Sequence, residues 1–138
     1  MRTFVDTNVI MYAVGRSHPL RQEARDFFAE SLSQDRALVT SAEVLQELLH
    51  AYIPVGRVQT LQAALELAGS LFQTAWPLEY DDVLHAHRLI GSHPELGARD
   101  LVHLASCQRR GVSSIKTFDR ALEAAFRSQA GVDRDTQG

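Results

Sequence analysis

Short apolar runs alternate with longer segments of helical periodicity along this chain, and that alternation limits its fold more than any other sequence feature. The apolar runs lie at residues 3–5, 37–39, 75–78 and 114–117. Each is followed by a segment with apolar residues at helical spacing, and further segments of this kind lie at 19–32, 58–72 and 99–110. Strands that alternate with helices predict an α/β domain with a short, mainly parallel central sheet flanked by helices. Pro77 predicts that the third strand lies at an edge or ends there, because proline has no N–H to donate to a neighbouring strand.

The length of 138 residues predicts one domain, because it is enough for a single core and too little for two. Hydrophobic residues make up 45% of the chain and charged residues 22%, which is typical of globular proteins rather than disordered ones. The sequence contains no internal repeat and no long linker. We therefore expect a single domain at residues 1–132 and a frayed polar tail at 133–138.

The sequence favours a cytoplasmic protein without a membrane segment. Its longest apolar stretches are interrupted by charged residues, glycine or proline before they reach membrane-spanning length. Asp6 interrupts the apolar residues near the N-terminus, which argues against a secretory signal. Cys107 is the single cysteine and has no partner for an internal disulfide, so nothing requires an oxidising compartment.

The charge of the chain leaves its partner open. The net charge is −3, which does not indicate a nucleic-acid-binding protein. Every basic residue except Lys116 is arginine, whose planar guanidinium suits phosphate oxygens. A general compositional preference for arginine explains the same observation, so charge alone does not identify a partner.

Four acidic residues lie where a site beyond the carboxyl ends of parallel strands would draw its residues. Asp6 comes directly after the first strand and Asp119 closely follows the last one. Glu47 lies about one turn inside the helix after the second strand, and Asp100 opens a later helix. Carboxylates that crowd together tolerate full ionisation only with a cation between them, and hard oxygen ligands select Mg²⁺ or Mn²⁺. The pattern indicates a divalent-metal site that acts on a phosphodiester.

Local structure explains some of these acids equally well. Asp6 and Asp119 each precede a predicted helix, where aspartate is a favoured N-cap, and an aspartate in a first helical turn complements the helix dipole. Glu47 has no such role, because Thr40 and Glu43 form a predicted capping box at the start of its helix. Glu47 is therefore the acid that most favours a functional interpretation.

Several segments of the sequence resemble the motifs of PIN domains and cover residues 2–126 in the right order. They are Phe4–Ile10, Thr40–Ser41 with Leu45–Leu49, Ala98–Ala105 and Lys116–Asp119. Each segment is short, but all of them in register along a chain of this length make the resemblance specific. The size and layout most resemble VapC-type toxins, the ribonuclease halves of bacterial toxin–antitoxin pairs.

The resemblance implies a three-layer sandwich and a metal-dependent endoribonuclease that leaves 5′-phosphate and 3′-hydroxyl ends. It implies that Mg²⁺ or Mn²⁺ is held by the acidic quartet Asp6, Glu47, Asp100 and Asp119. It also implies that these acids are supported by hydrogen bonds from Thr7, Asn8 and Thr117. Glu43 lies one turn before Glu47 on the same helical face, although the pattern Leu-Gln-Glu-Leu favours Glu47. An antitoxin protein and a homodimer are the expected partners, besides the RNA substrate.

Two other functions stay open at this point. A structure-selective DNA nuclease uses the same metal chemistry, although such enzymes usually carry extra helical and basic segments. A catalytically idle module that binds protein or RNA is the other possibility, and the intact quartet argues against it. The histidines form no zinc motif, although His103, one turn after Asp100, is placed to border the cleft. No nucleophile elbow or phosphate-binding loop is present.

Overall fold

A computed structural model describes residues 1–137 of the chain, with side chains described for residues 1–129. The predicted frayed tail, 133–138, lies outside the residues whose side chains are described, so it stays a prediction together with the domain range 1–132. Within the described chain, no helix is both long enough and apolar enough to span a bilayer.

Helices and strands follow one another in the predicted alternation. In chain order the elements are β1 (Arg2–Val5), α1 (Thr7–Val14), α2 (Pro19–Ser33), β2 (Ala37–Ser41), α3 (Ala42–Tyr52), α4 (Val58–Leu71), β3 (Phe72–Trp76), α5 (Tyr80–Leu89), α6 (Ala98–Arg109), β4 (Ser114–Lys116) and α7 (Arg120–Gln137). The third strand begins three residues before the predicted run at 75–78 and ends before Pro77. Proline therefore ends this strand, as its missing N–H predicts.

The four strands described form one sheet in the order β3-β2-β1-β4, and every neighbouring pair is parallel. This confirms the predicted α/β class, and β3 lies at an edge of the sheet. The chain adds β2 on one side of β1 and later returns to add β4 on the other side. The strand order therefore reverses next to β1, and ligands bind at such a reversal, beyond the carboxyl ends of the strands.

Helices on both sides of the sheet enclose the core. Helix α1 contacts α2, α3 and α4, whereas α6 contacts α5 and α7. Phe4 of the central strand β1 is fully buried and stacks on Trp76 of β3 with 5.6 Å between the ring centroids. Val9 and Ile10 of α1 are also fully buried. Burial of these apolar side chains holds the carboxyl end of β1 in a rigid frame.

The predicted capping box of Thr40 and Glu43 is wrong. Strand β2 continues through Ser41, which pairs with Trp76 of β3, so α3 begins one residue later than the pattern predicts. The Ser41 hydroxyl caps the helix by accepting from the Val44 backbone N–H at 3.2 Å. The Thr40 hydroxyl instead donates to the carbonyl of a β1 residue at 3.3 Å, which is a contact between strands that a local pattern does not reveal.

Candidate active site

Asp6 lies at the carboxyl end of β1, at the centre of the candidate site. It is the N-cap of α1 and is only 6% exposed. Its Oδ1 accepts a hydrogen bond from the Thr7 backbone N–H at 2.8 Å, and its Oδ2 accepts from the Thr117 hydroxyl at 2.7 Å. Both carboxylate oxygens are therefore fixed by groups of α1 and of the segment after β4. Asp6 caps a helix, as the local interpretation predicts, and also faces the other acids.

Glu47 reaches the same place from α3. Its Oε2 accepts from the Thr7 hydroxyl at 2.5 Å and its Oε1 lies 2.9 Å from Nε2 of His103. Its side chain is 14% exposed, so the carboxylate is largely shielded from solvent. Thr7 thus contacts both acids, through its N–H to Asp6 and through its hydroxyl to Glu47.

His103 is the residue whose role in this site the sequence did not show. Its side chain is 1% exposed, and its Nε2 lies 3.9 Å from Oδ1 of Asp6 as well as within hydrogen-bonding distance of Glu47. The ring packs against Phe4 with 5.6 Å between centroids. The spacing of three residues from Asp100 indicated only that His103 borders the cleft. The contact with Glu47 joins residues 56 positions apart, and no local signal predicts such a contact.

Asn8 and Thr117 form a polar link between α1 and the segment after β4. The Asn8 Oδ1 accepts from the Phe118 backbone N–H at 3.2 Å, and its Nδ2 lies 3.4 Å from the Thr117 hydroxyl. That hydroxyl also accepts from the Asp119 backbone N–H at 3.0 Å. Asp119 itself caps α7, since its Oδ1 accepts from the Leu122 N–H at 3.1 Å. One hydroxyl, that of Thr117, therefore connects Asp6 to the turn that carries Asp119.

Asp100 is half-buried in the first turn of α6. Burial, followed by the negative charges of Asp119 and Asp6, raises its pKa from 3.8 to about 6. The charges of Asp119, Asp6 and Glu47 all act to raise this pKa, so the four carboxyl groups of the predicted quartet lie close enough to interact.

Burial and mutual charge interactions also shift the pKa values of Asp6, Glu47 and His103. Burial raises the pKa of Asp6, against the opposing effects of the His103 charge and the Thr117 hydrogen bond. Burial also acts to raise the pKa of Glu47, but the hydrogen bond and charge of His103 outweigh it and hold that pKa below its usual value. For His103, burial acts to lower the pKa, but the hydrogen bond and charge of Glu47 raise it above its usual value.

Asp6, Glu47 and His103 are able to bring two carboxylate oxygens and one imidazole nitrogen to a common centre, because these atoms lie within 4.8 Å of one another. Carboxylate oxygens suit Mg²⁺ and Mn²⁺, and imidazole is compatible with Mn²⁺. Of the predicted quartet, Asp6 and Glu47 belong to this group. Asp100 and Asp119 lie outside it; the charge of Asp100 acts on His103, and the charge of Asp119 acts on Asp100.

A basic and aromatic cavity of about 340 Å³ adjoins the site at Asn8. Its lining includes Tyr12, Arg16, Tyr52 and Arg57. The Arg57 guanidinium lies 5.7 Å from the centroid of the Tyr52 ring, a cation–π distance. The site thus combines an acidic centre with a neighbouring surface able to contact phosphates and bases.

The model of the PIN domain matches residues 3–126 of this chain, and the chain therefore belongs to the PIN-domain family. Its relatives within that family are VapC ribonucleases. Ribonuclease VapC23 of Mycobacterium tuberculosis is 62% identical over 125 residues, which cover 91% of this chain and 98% of that protein. Ribonuclease VapC13 of the same organism is 35% identical over 120 residues, which cover 87% of this chain and 92% of that protein. These relatives confirm the predicted resemblance to VapC toxins.

Solved structures share the fold at much lower sequence identity. The crystal structure of M. tuberculosis VapC20, a toxin that cleaves the sarcin–ricin loop, matches with a TM-score of 0.73 at 21% identity, over 89% of this chain and 94% of that one. The structure of VapBC2 from Rickettsia felis, bound to a DNA fragment from its promoter, matches with a TM-score of 0.63 at 16% identity, over 86% of this chain and 88% of that one. They confirm the predicted PIN-like architecture.

Proposed function

We propose that this chain is a divalent-metal-dependent endoribonuclease and the toxin of a toxin–antitoxin pair, with Asp6, Glu47, Asp100 and Asp119 as its acidic quartet. The observation that carries the proposal is the convergence of Asp6 and Glu47, each with both carboxylate oxygens held by hydrogen bonds. Carboxylates fixed in this way are ready to bind Mg²⁺ or Mn²⁺ without reorganising.

The reaction is hydrolysis of an RNA phosphodiester. When bound, Mg²⁺ or Mn²⁺ would activate the attacking water and neutralise charge on the leaving oxygen. Asp6 and Glu47 hold the ion, and Asp100 and Asp119 add negative charge beside these two acids. Thr7, Asn8 and Thr117 orient these acids through the contacts described above. Water attacks phosphorus and the P–O3′ bond breaks, so one product carries a 5′-phosphate and the other a 3′-hydroxyl.

RNA rather than DNA is the proposed substrate. The relatives named above are ribonucleases, and the cavity beside Asn8 offers Arg16 and Arg57 for phosphates and the partly exposed Tyr12 for stacking of an unpaired base. Arginine beside an acidic centre also keeps the negatively charged substrate from being repelled.

An antitoxin and a second copy of the chain are the proposed protein partners, in the cytoplasm. Exposed apolar side chains continue from the end of α3 into α4, among them Ile53 (59% exposed), Val55 (66%) and Val58 (62%). An apolar surface of this kind supports docking of a partner segment, such as an antitoxin tail that folds on binding. A separate apolar patch on α5 supports the homodimer.

The test is cleavage of a mixed RNA pool, and of matched DNA, by the purified chain with Mg²⁺ or Mn²⁺. Asp6→Asn, which keeps the size of the side chain and removes its charge, should abolish cutting while the protein stays folded. EDTA should abolish it too. Undiminished cutting by the Asp6→Asn variant would contradict the mechanism, and cutting of DNA alone would favour a DNA nuclease. Absence of Mn²⁺ binding by calorimetry would favour an idle binding module.

A further inference from the structure

We propose that His103 is a positioning residue of the candidate active site, which holds the Glu47 carboxylate in the orientation that the metal ion requires. This inference rests on the proposed function, because it assigns the residue a role toward the same ion. It adds a residue to the predicted set of four acids and three supporting side chains.

His103 fixes the Glu47 oxygen that Thr7 leaves free. The Thr7 hydroxyl donates to Oε2 of Glu47, and His103 Nε2 lies 2.9 Å from Oε1. The last torsion of a glutamate side chain is broad, so one hydrogen bond alone does not fix the plane of its carboxylate. The two donors together determine that plane, and they come from different elements, α1 and α6.

The imidazole is itself held rigidly. Its side chain is 1% exposed and its ring packs against Phe4 of the central strand. The Nε2 atom is 3.9 Å from Oδ1 of Asp6, which is beyond hydrogen-bonding distance. The hydrogen bond of His103 is therefore made to Glu47, while Asp6 is oriented by Thr7 and Thr117.

The other ring nitrogen shows which role this histidine has. Nδ1 of His103 is buried and has no hydrogen-bond partner among the described side chains and backbone. If Nε2 bound the metal ion directly, the proton of the neutral ring would have to sit on Nδ1, as a buried donor without an acceptor, which is costly. Histidines that bind metals normally donate their second N–H to an acceptor, and no residue of the described part of the chain supplies one to Nδ1 of His103. With its proton on Nε2, the ring donates to Glu47 instead.

The experiment is titration of the metal-free chain with Mn²⁺ alone, followed by electron paramagnetic resonance and calorimetry, for wild type, His103→Leu and His103→Gln. We expect His103→Leu to weaken Mn²⁺ binding about 10–100-fold, as removal of an outer partner of a metal ligand does. His103→Gln should recover most of that loss, because its side-chain amide is able to donate to the same Glu47 oxygen. His50→Gln, an exposed histidine of α3, is the matched control and should bind Mn²⁺ as wild type does.

Thermal unfolding of the same metal-free variants separates positioning from a purely structural role. If His103 only filled the core, the variants would change the unfolding temperature and leave the Mn²⁺ affinity unchanged, which would overturn the proposal. Equal loss of affinity in His103→Leu and His103→Gln would also overturn it, in favour of a direct metal ligand. Absence of Mn²⁺ binding by the wild-type chain would instead overturn the metal-dependent function, and this proposal with it.

Discussion

At the scale of single residues, the candidate site brings together buried carboxylates whose charged forms are unfavourable without a cation beside them. Asp100 shows this most clearly, because burial and the neighbouring acids Asp119 and Asp6 raise its pKa to about 6. A carboxyl group whose pKa is raised in the folded state binds its proton more tightly there than in the unfolded chain. Its contribution to stability is therefore lost as the pH rises from its ordinary pKa, 3.8, through about 6.

We predict that Asp100→Asn stabilises the metal-free chain at pH 7.5 and abolishes or strongly reduces cleavage. The raised pKa of Asp100 corresponds to roughly 1–3 kcal/mol of unfolding free energy after allowance for solvent screening. The gain in stability of the variant should vanish as the pH falls towards 4. Urea unfolding across this pH range measures it. Asp26→Asn on the exposed face of α2 is the control and should show no such trend. A destabilised Asp100→Asn chain at pH 7.5 would contradict the electrostatic interpretation.

Thr117 gives a second prediction at this scale, because one hydroxyl both donates to Asp6 and accepts from the Asp119 N–H. Thr117→Val keeps the shape and removes these bonds, so we expect cleavage to fall about 10–100-fold. Single-turnover cleavage of a defined RNA measures the loss. Thr74→Val, at an exposed position of the edge strand β3, serves as the control. Equal rates in the two variants would show that the hydroxyl does not orient the acids.

At the scale of elements, an ion-pair cluster fastens α5 to α6, the helix that carries Asp100 and His103. Asp82 is fully buried and accepts from the Glu79 backbone N–H at 2.9 Å, from Arg109 at 2.6 Å and from Arg110 at 2.7 Å. Burial acts to raise the pKa of Asp82, but the hydrogen bonds from Arg110, the backbone and Arg109 hold it below its usual value. The charged carboxylate is therefore the form that connects the two helices.

We predict that Asp82→Asn destabilises the fold by roughly 1–3 kcal/mol at pH 7, because it removes the buried charge that pairs with Arg109 and Arg110. The folded-state pKa of Asp82 is lowered, so its stabilisation is present above pH 3.8 and is lost as the pH falls through that lower value. The difference between the variant and wild type should shrink accordingly in acid, as followed by urea unfolding. Asp81→Asn, its exposed neighbour, should cost far less. Equal losses of unfolding free energy in Asp82→Asn and Asp81→Asn would show that the burial of Asp82 does not cause its effect on stability.

At the scale of the whole molecule, apolar surface remains outside the core of a single chain. On α5 and just after it, Tyr80 (77% exposed), Val83 (47%) and Ile90 (51%) recur at helical spacing, so they share a face. A twofold contact would bury this face against its copy and remove it from water. The patch lies on the helix that the Asp82 cluster holds in place, so its geometry is fixed before assembly.

We predict that Val83→Glu shifts a homodimer of this chain to monomer, because the twofold axis brings two added charges together. Sedimentation equilibrium at micromolar concentration measures the change. Leu32→Glu on α2, where Leu32 is 72% exposed outside this patch, should leave the association state unchanged. A wild-type chain that sediments as a monomer would contradict the proposed dimer, and an unchanged Val83→Glu dimer would move the interface to another surface.

The sequence alone determined the order of strands and helices and the place of the first acid. These features depend on local periodicity and on residues next to a strand end, as with Asp6 after β1, so the chain carries them without reference to distant parts. The pairing of Thr7 with Glu47 is different, because it joins residues 40 positions apart. The family resemblance predicted a supporting role for Thr7 but not its partner.

Only the tertiary structure decided that His103 touches Glu47 and that Ser41, not Thr40, caps α3. Both depend on how far parallel strands extend and on which helix faces meet across the sheet. Such contacts are set by packing between segments that are remote in sequence, and local propensity contains no information about them. The acids and three supporting side chains were therefore recognisable in the sequence, whereas the pairing of each donor with its acid, and the contact of His103, became known only from the fold.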